Sequence, residues 1–324
     1  VGFHIFKLLR VLDLGQFNVG DCFPSEVELL VELRFWAIKG TMRSIPSAIA
    51  NLSNLATFLL DSNDAALPDT ILNMNKLRHL HTIAQHTRFS FEKVNLDSSS
   101  ILHSLDTLST AWISYGQGIE KMVRKFPNIR ELKCELDYEE LAASTENRGS
   151  IVDLSFLNRL ESLSIIHDDY ATICKIEYHF PLNLKKLTLS YFPCGTVSTL
   201  GKLPNLEVLN LSYGPHDWKI WEMKEGEFPK LKTLRMGALC TLRWIGCDDS
   251  LPCLEKLVLS RCEKLTEIPS CLWYASTLEV IMVQQCSYFL TSLVCEIEDE
   301  QRSMGNEDLE VHIIPEEKSD SEAE

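Results

Sequence analysis

The chain has 324 residues, 45% of them hydrophobic, and a formal net charge of −15. That charge is repelled by nucleic-acid phosphates and by anionic membrane surfaces, which excludes both as main partners. No apolar run reaches the roughly 18 residues that cross a bilayer, and eleven cysteines with no C-x-x-C pair read as reduced thiols of the cytoplasm or nucleus.

From the first residues one pattern recurs. Val1–Lys7 lacks the charged start and long apolar run of a signal peptide, and the absence of an initiating Met predicts a segment of a longer polypeptide. Leu9-Arg-Val-Leu-Asp-Leu14 then reads L-x-x-L-x-L, an alternation that predicts a strand. Similar units begin at Leu30 and Leu55. Pro46 and Pro68 lead into helical turns at residues 47–52 and 69–74, with Ser47 and Asp69 placed to cap them. Residues 77–158 are less regular. Units begin at Leu77, Leu105 and Ile129, but Thr82, Thr110 and Cys134 stand where a third Leu is expected. Residues 98–100 and 142–150 read as loops or insertions. Residues 159–290 are regular, with units at Leu160, Leu184, Leu206, Leu231, Leu254 and Leu278.

That makes twelve units at spacings of 21 to 31 residues, about 24 on average. One unit cannot bury its own leucines, so the copies must stack. The expected fold is an α/β solenoid over residues 1–290: a leucine-rich-repeat horseshoe of about twelve repeats. Its parallel sheet lies on the concave face, with short helices, 3-10 turns and loops on the convex face. Residues 291–324 read as a mostly disordered acidic tail; residues 299–324 alone carry −8 of the −15.

With the leucines inward, the residues between them point outward. The candidate partner-binding face is therefore Arg34, Trp36, His79, His81, Lys186, Ser190, Asn210, Ser212, Arg235 and Lys256. Tyr191 and Tyr213 each sit seven residues after their first Leu, so they should stack roughly 5 Å apart along the sheet edge. With Trp36, Trp218 and Trp221 they are candidate binding anchors, as Tyr and Trp are enriched among interface hot spots.

Catalytic and cofactor patterns fare poorly. Gly195–Lys202 has five residues between its glycines, and Leu203 stands where a phosphate-binding loop needs Ser or Thr for Mg²⁺. His79, His81 and His86 lack a carboxylate or Cys at matched spacing for a metal. Cys262 and Cys286 occupy the turn after their strands, where a small thiol packs and bonds a neighbouring coil. The chain is expected to hold no cofactor or metal and to have no catalytic residue.

Three stretches carry a family resemblance: residues 67–80, ending in Leu77-Arg-His-Leu80; residues 200–234, with Trp221; and Cys262-Glu-Lys-Leu-Thr-Glu-Ile-Pro269. Over about residues 1–290 the chain resembles the leucine-rich-repeat domain of plant intracellular nucleotide-binding disease-resistance proteins, closest to the coiled-coil class of the late-blight resistance group. The resemblance implies a cytoplasmic immune-receptor module, placed in the nucleus or at the membrane periphery only as part of a whole receptor. It implies a protein partner in trans, either a pathogen effector or a guarded host protein, and an upstream nucleotide-binding switch in cis that the repeats restrain. ATP or ADP would bind only that upstream domain. Lys7, Arg10, Arg34, Lys39 and Arg43 would supply the basic N-terminal surface that family members present to the switch. The alternative is a generic repeat adaptor, such as the substrate-recognition arm of a ubiquitin ligase, which requires an upstream F-box.

Overall fold

A computed structural model of the chain describes residues 5–62, 65–82, 89–91, 94–114, 119–137, 150–167, 176–247 and 249–315. The chain divides into two compact units, Val1–Thr145 with Val152–Asp168, and Glu146–Ile151 with Asp169–Glu324.

The first unit holds β1 (Val11–Asn18), β2 (Phe35–Lys39), β3 (Thr57–Asp61), β4 (Ala65–Ala66), β5 (His79–Thr82), β6 (Phe89–Ser90), β7 (Thr107–Ser114) and β8 (Glu131–Asp137). The short β9 (Ser150–Asp153) divides between the units, and β10 (Ser162–His167) returns to the first. The second unit holds β11 (Ile176–His179), β12 (Lys186–Ser190), β13 (Val208–Ser212), β14 (Ile220–Glu222), β15 (Thr233–Gly237), β16 (Arg243–Ile245), β17 (Lys256–Ser260), β18 (Val280–Gln284) and β19 (Glu310–Ile314). In the first unit the ladder runs β1-β2-β3-β5-β7-β8-β10, and in the second β12-β13-β15-β17-β18-β19. Within each unit, successive repeats thus pair in parallel, as a leucine-rich-repeat solenoid requires.

Counting the first Leu of a repeat as position one, positions one, four and six form the core. Leu184, Leu187 and Leu189 have no exposed surface, nor do Leu206, Leu209, Leu231 and Leu234. Each such side chain contributes about 1.5–3 kcal/mol. Position two has a backbone role. Its carbonyl accepts two successive amides of the following coil: Lys185 O takes Glu207 N and Val208 N at 2.8 and 2.9 Å. The same double acceptance recurs at Arg10, Arg34, Ala56, Arg78, Asp106 and Arg130, then at Glu207, Lys232 and Glu255.

The second repeat corrects the expected register. Trp36 pairs with Leu12 and Phe58, and Ile38 with Leu14 and Leu60. The repeat therefore begins at Leu33, not Leu30, and the neighbouring spacings become 24 and 22 residues. Trp36 is wholly buried, with ring centroids 5.2 Å from Phe23 and 5.0 Å from Phe58. It belongs to the core and leaves the candidate binding face; Phe35, Ala37 and Lys39 take the outward positions. Two of the irregular repeats keep their expected register, with Thr82 opposite Leu60 and Cys134 opposite Ile165, but in the repeat from Leu105 it is Ala111, not Thr110, that faces Cys134. Between Leu108 and Ala111 the pairing of β7 with β8 slips. Thr110 there adopts φ 55°, a bulge that lets Ala111 meet Cys134.

On the convex side, 3-10 turns at Ser47–Asn51, Asp69–Asn73 and Ser270–Trp273 each follow a proline. Ser47 and Asp69 do not cap them. The capping position falls on Pro46 and Pro68, which have no side-chain acceptor, and Asp69 instead accepts the amide of Asn95. In the second unit β14 and β16 pair and stack Trp221 on Trp244, with centroids 5.5 Å apart and planes 14° apart.

The sequence boundary at residue 290 also moves. A helix spans Tyr288–Ser303, capped by Ser287 Oγ, which accepts from Leu290 N. It buries Leu290, Val294, Ile297 and Gln301. Gln301 Nε2 donates to the carbonyls of Leu272 and Ala275 at 3.0 and 3.2 Å. β19 then adds a strand to the ladder beside β18. Leucine spacing misses this unit because Asp308 stands opposite Leu278, and Val311 and Ile313 fill positions four and six. The rest of the acidic segment, residues 316–324, lies outside the described residues, as do residues 142–149.

Candidate protein-interaction face

The outward positions three, five and seven form columns wherever neighbouring strands stay in register, which they do except for slips between Leu14 and Asn18 and between Leu108 and Ala111. On the first unit, His79 Nδ1 and His81 Nε2 both lie 2.9 Å from Thr107 Oγ1, and the two imidazoles stack 6.0 Å apart. His81 titrates below its ordinary value, first because burial disfavours the imidazolium and then because His79 is adjacent. The two rings share the Thr107 hydroxyl as a hydrogen-bonded pair. His86 lies outside the described residues, and no cluster of three metal-ligating side chains occurs among the described residues. Lys39 pairs with Asp61 at 2.8 Å.

Arg34 occupies position two, so it leaves the column expected for it. It is exposed at the entry to β2 and lines an open groove of about 590 Å³ with Arg78, His103, Asp106 and Arg159. The groove is basic although the chain is acidic.

On the second unit, Lys186 and Arg235 are exposed and Lys256 is half-buried. Ser190 and Ser212 hydroxyls are 2.6 Å apart, and Asn210 Nδ2 donates to Thr188 Oγ1 at 2.9 Å. Asn210 Oδ1 is buried with no partner. Val258 points outward yet is buried between Arg235 and Met282, its register neighbours.

The strand ends carry a further column at position eight. Tyr191, Tyr213, Ala238, Arg261 and Gln285 have φ between 49° and 56°, a left-handed conformation unusual for residues other than glycine. Each is held by its amide: Tyr191 N donates to Ser212 O, Tyr213 N to Gly237 O, Ala238 N to Ser260 O and Arg261 N to Gln284 O, at 2.8 to 3.1 Å. The Tyr191 and Tyr213 rings stack with centroids 4.6 Å apart and planes 6° apart, as their spacing predicts. The other expected anchors divide: Trp218 is half-buried against Phe192, and Trp221 is core. Arg261 and Ala238 escape sequence reading because nothing in L-x-x-L-x-L marks position eight, although its spacing after Leu231 and Leu254 is constant.

The thiols at position nine serve the scaffold. Cys262 Sγ lies 3.5 Å from Met236 O, and Cys286 Sγ 3.6 Å from Leu259 O, each reaching the preceding coil. Cys262 N donates to Cys286 Sγ at 3.4 Å. Donation from Cys262 holds the Cys286 thiol below its ordinary range, and the Cys262 thiol is pushed up by that donation and by burial. Gly195–Lys202 forms a 3-10 turn and a helical turn, with Leu203 in the core. Among the described residues no helix is long and apolar enough to cross a membrane.

Comparison with known proteins agrees with this architecture. Residues 2–196 match the family described as "Leucine-rich repeat region". Over 91% of its length the chain is 37% identical to late blight resistance protein homolog R1B-16 of Solanum demissum, and equally so to late blight resistance protein R1-A of the same plant. It spans 23% of the length of each of these relatives. A Leptospira interrogans leucine-rich-repeat protein of known structure aligns over 94% of this chain and 81% of its own, at 15% identity and a TM-score of 0.46. The family match, with the ladder and its registers, shows that the chain belongs to the leucine-rich-repeat family, and its repeats are similar to those of the Solanum demissum late blight resistance proteins.

Proposed function

We propose that this domain is the non-catalytic recognition and restraint module of a plant immune receptor. Its outward columns bind a protein, either a pathogen effector or a guarded host protein, and the domain holds an upstream nucleotide-binding switch inactive in the cytoplasm until that partner arrives. ATP or ADP is bound upstream, and this chain holds no cofactor.

The observation that carries this reading is the face itself. Core positions of the second unit repeat apolar types coil after coil, whereas position three (Lys186, Val208, Thr233, Lys256, Val280) and position five (Thr188, Asn210, Arg235, Val258, Met282) change at every coil, which suits a specific protein surface. Similarity to disease-resistance proteins supplies the immune context. The basic groove at Arg34, Arg78 and Arg159 suits an acidic face of the switch.

The test is to express the upstream switch domain in leaf tissue with and without this segment. Removal is expected to release cell death or abolish the effector response. Unchanged activity in both assays would sink the proposal.

A further inference from the structure

The position-eight column lacks one rung. Tyr191 and Tyr213 stack ring on ring at 4.6 Å, close to the roughly 4.8 Å strand spacing. The next coil offers only the Ala238 methyl, and the one after it Arg261. Tyr213 and Arg261 are thus two strands apart, about 9.6 Å. One ring in contact with both needs about 7 Å, roughly 3.5 Å on each face. The resulting open recess has a volume of about 400 Å³ and is lined by Tyr213, Gly237, Ala238, Arg261 and Gln285, among others.

Two features keep the recess open. Gly237 is not required by its backbone: a Cβ there would sit 3.6 Å from Ser212 Cβ, an ordinary contact, so its bareness serves only to lower the floor. Arg261 Nε donates to Gln285 Oε1 at 2.8 Å, which pins the guanidinium in the wall of the recess.

We propose that this gap seats one aromatic side chain of a partner polypeptide, stacked on Tyr213 and against the Arg261 guanidinium. The inference rests on the protein-recognition reading above and names the chemistry of one subsite. An aromatic ring gains stacking on one side and a cation–π contact on the other. An aliphatic side chain fills the same space and gains neither, and a carboxylate engages Arg261 but leaves the Tyr213 ring uncovered. Ser212, Ser260 and Gln284 border the recess with polar groups suited to the amides flanking such a residue.

The test is NMR titration of the chain with N-acetyl-tryptophanamide, following the Gly237 amide and the Ala238 methyl. Saturable shifts are expected, with Kd on the order of 1 mM, and none with N-acetyl-leucinamide. Arg261→Gln should weaken binding about threefold. Ala238→Tyr builds in the missing rung and should abolish the Gly237 response. Should that variant fail to fold, Tyr213→Phe and Tyr213→Leu replace it, with binding retained in the first and lost in the second. Equal shifts with the leucine compound, no shifts with either, or an unaltered response in the variants would overturn the seat. If restraint of the upstream switch persists in leaf tissue while the titration fails, the subsite falls and the broader reading stands.

Discussion

Trp36 and Tyr213 look alike in the sequence, each a large aromatic near an outward position, and the structure separates them. Trp36→Ala empties a fully buried site and should cost about 3–5 kcal/mol of stability. Tyr213, 42% exposed, should cost less than about 1 kcal/mol when truncated. Urea melts of the two variants check the contrast, and equal losses would place Trp36 outside the core. Trp36 was misplaced because Leu30 and Leu33 both offer a start, and only pairing with Leu12 and Phe58 decides between them.

His81 adds a pH dependence. Its folded midpoint lies below the unfolded value, so the unfolded chain takes up the proton first. Stability should therefore fall as pH drops below about 6.5, the ordinary value, until the folded midpoint is passed. His81→Asn should flatten that slope, and an imidazole NMR titration should place His81 below the ordinary histidine value of 6.5. Among the thiols, the half-buried Cys286 should react with iodoacetamide well before the buried Cys262, read by peptide mass spectrometry. Reaction in the opposite order would contradict the donation from Cys262 to Cys286.

At the scale of elements, the strands of the L-x-x-L-x-L units were legible because Leu spacing marks them, whereas the short β4, β6, β9, β11, β14 and β16 were not, and the Tyr191–Tyr213 stack follows from spacing alone. The C-terminal helix and β19 were not legible either. Their charge density reads as disorder, and the apolar residues that matter, Leu290, Val294 and Ile297, follow a helical period instead of the repeat. Leu272 and Leu278 in the last full repeat need that cover. Truncation after residue 287 should expose them and lower the melting temperature by several degrees or cause aggregation, whereas truncation after Pro315 should be tolerated. Ser287→Ala removes the helix cap and should cost about 1 kcal/mol.

For the whole molecule, solenoid stability is a sum of local terms and nearest-neighbour interfaces. With two compact units, unfolding need not be all-or-none. Hydrogen exchange in rising urea should show amides of β2 and β17 losing protection at separate midpoints. A single shared midpoint would mean the chain behaves as one cooperative body. Total charge says little about where binding occurs, because the acidic residues concentrate near the C-terminus while the Arg34 groove is basic.

The carbonyl at position two, which takes two amides from the next coil, bears on how such a chain tolerates change. Phase error does not accumulate along the ladder, since each coil is re-zeroed on the backbone of its predecessor and not on a fixed residue count. Spacings of 28 residues before Leu105 and 31 before Leu160 enter and leave through the same Arg78 and Arg130 acceptors as the shorter coils. Insertions can therefore be written into one loop without rewriting the register of any strand downstream.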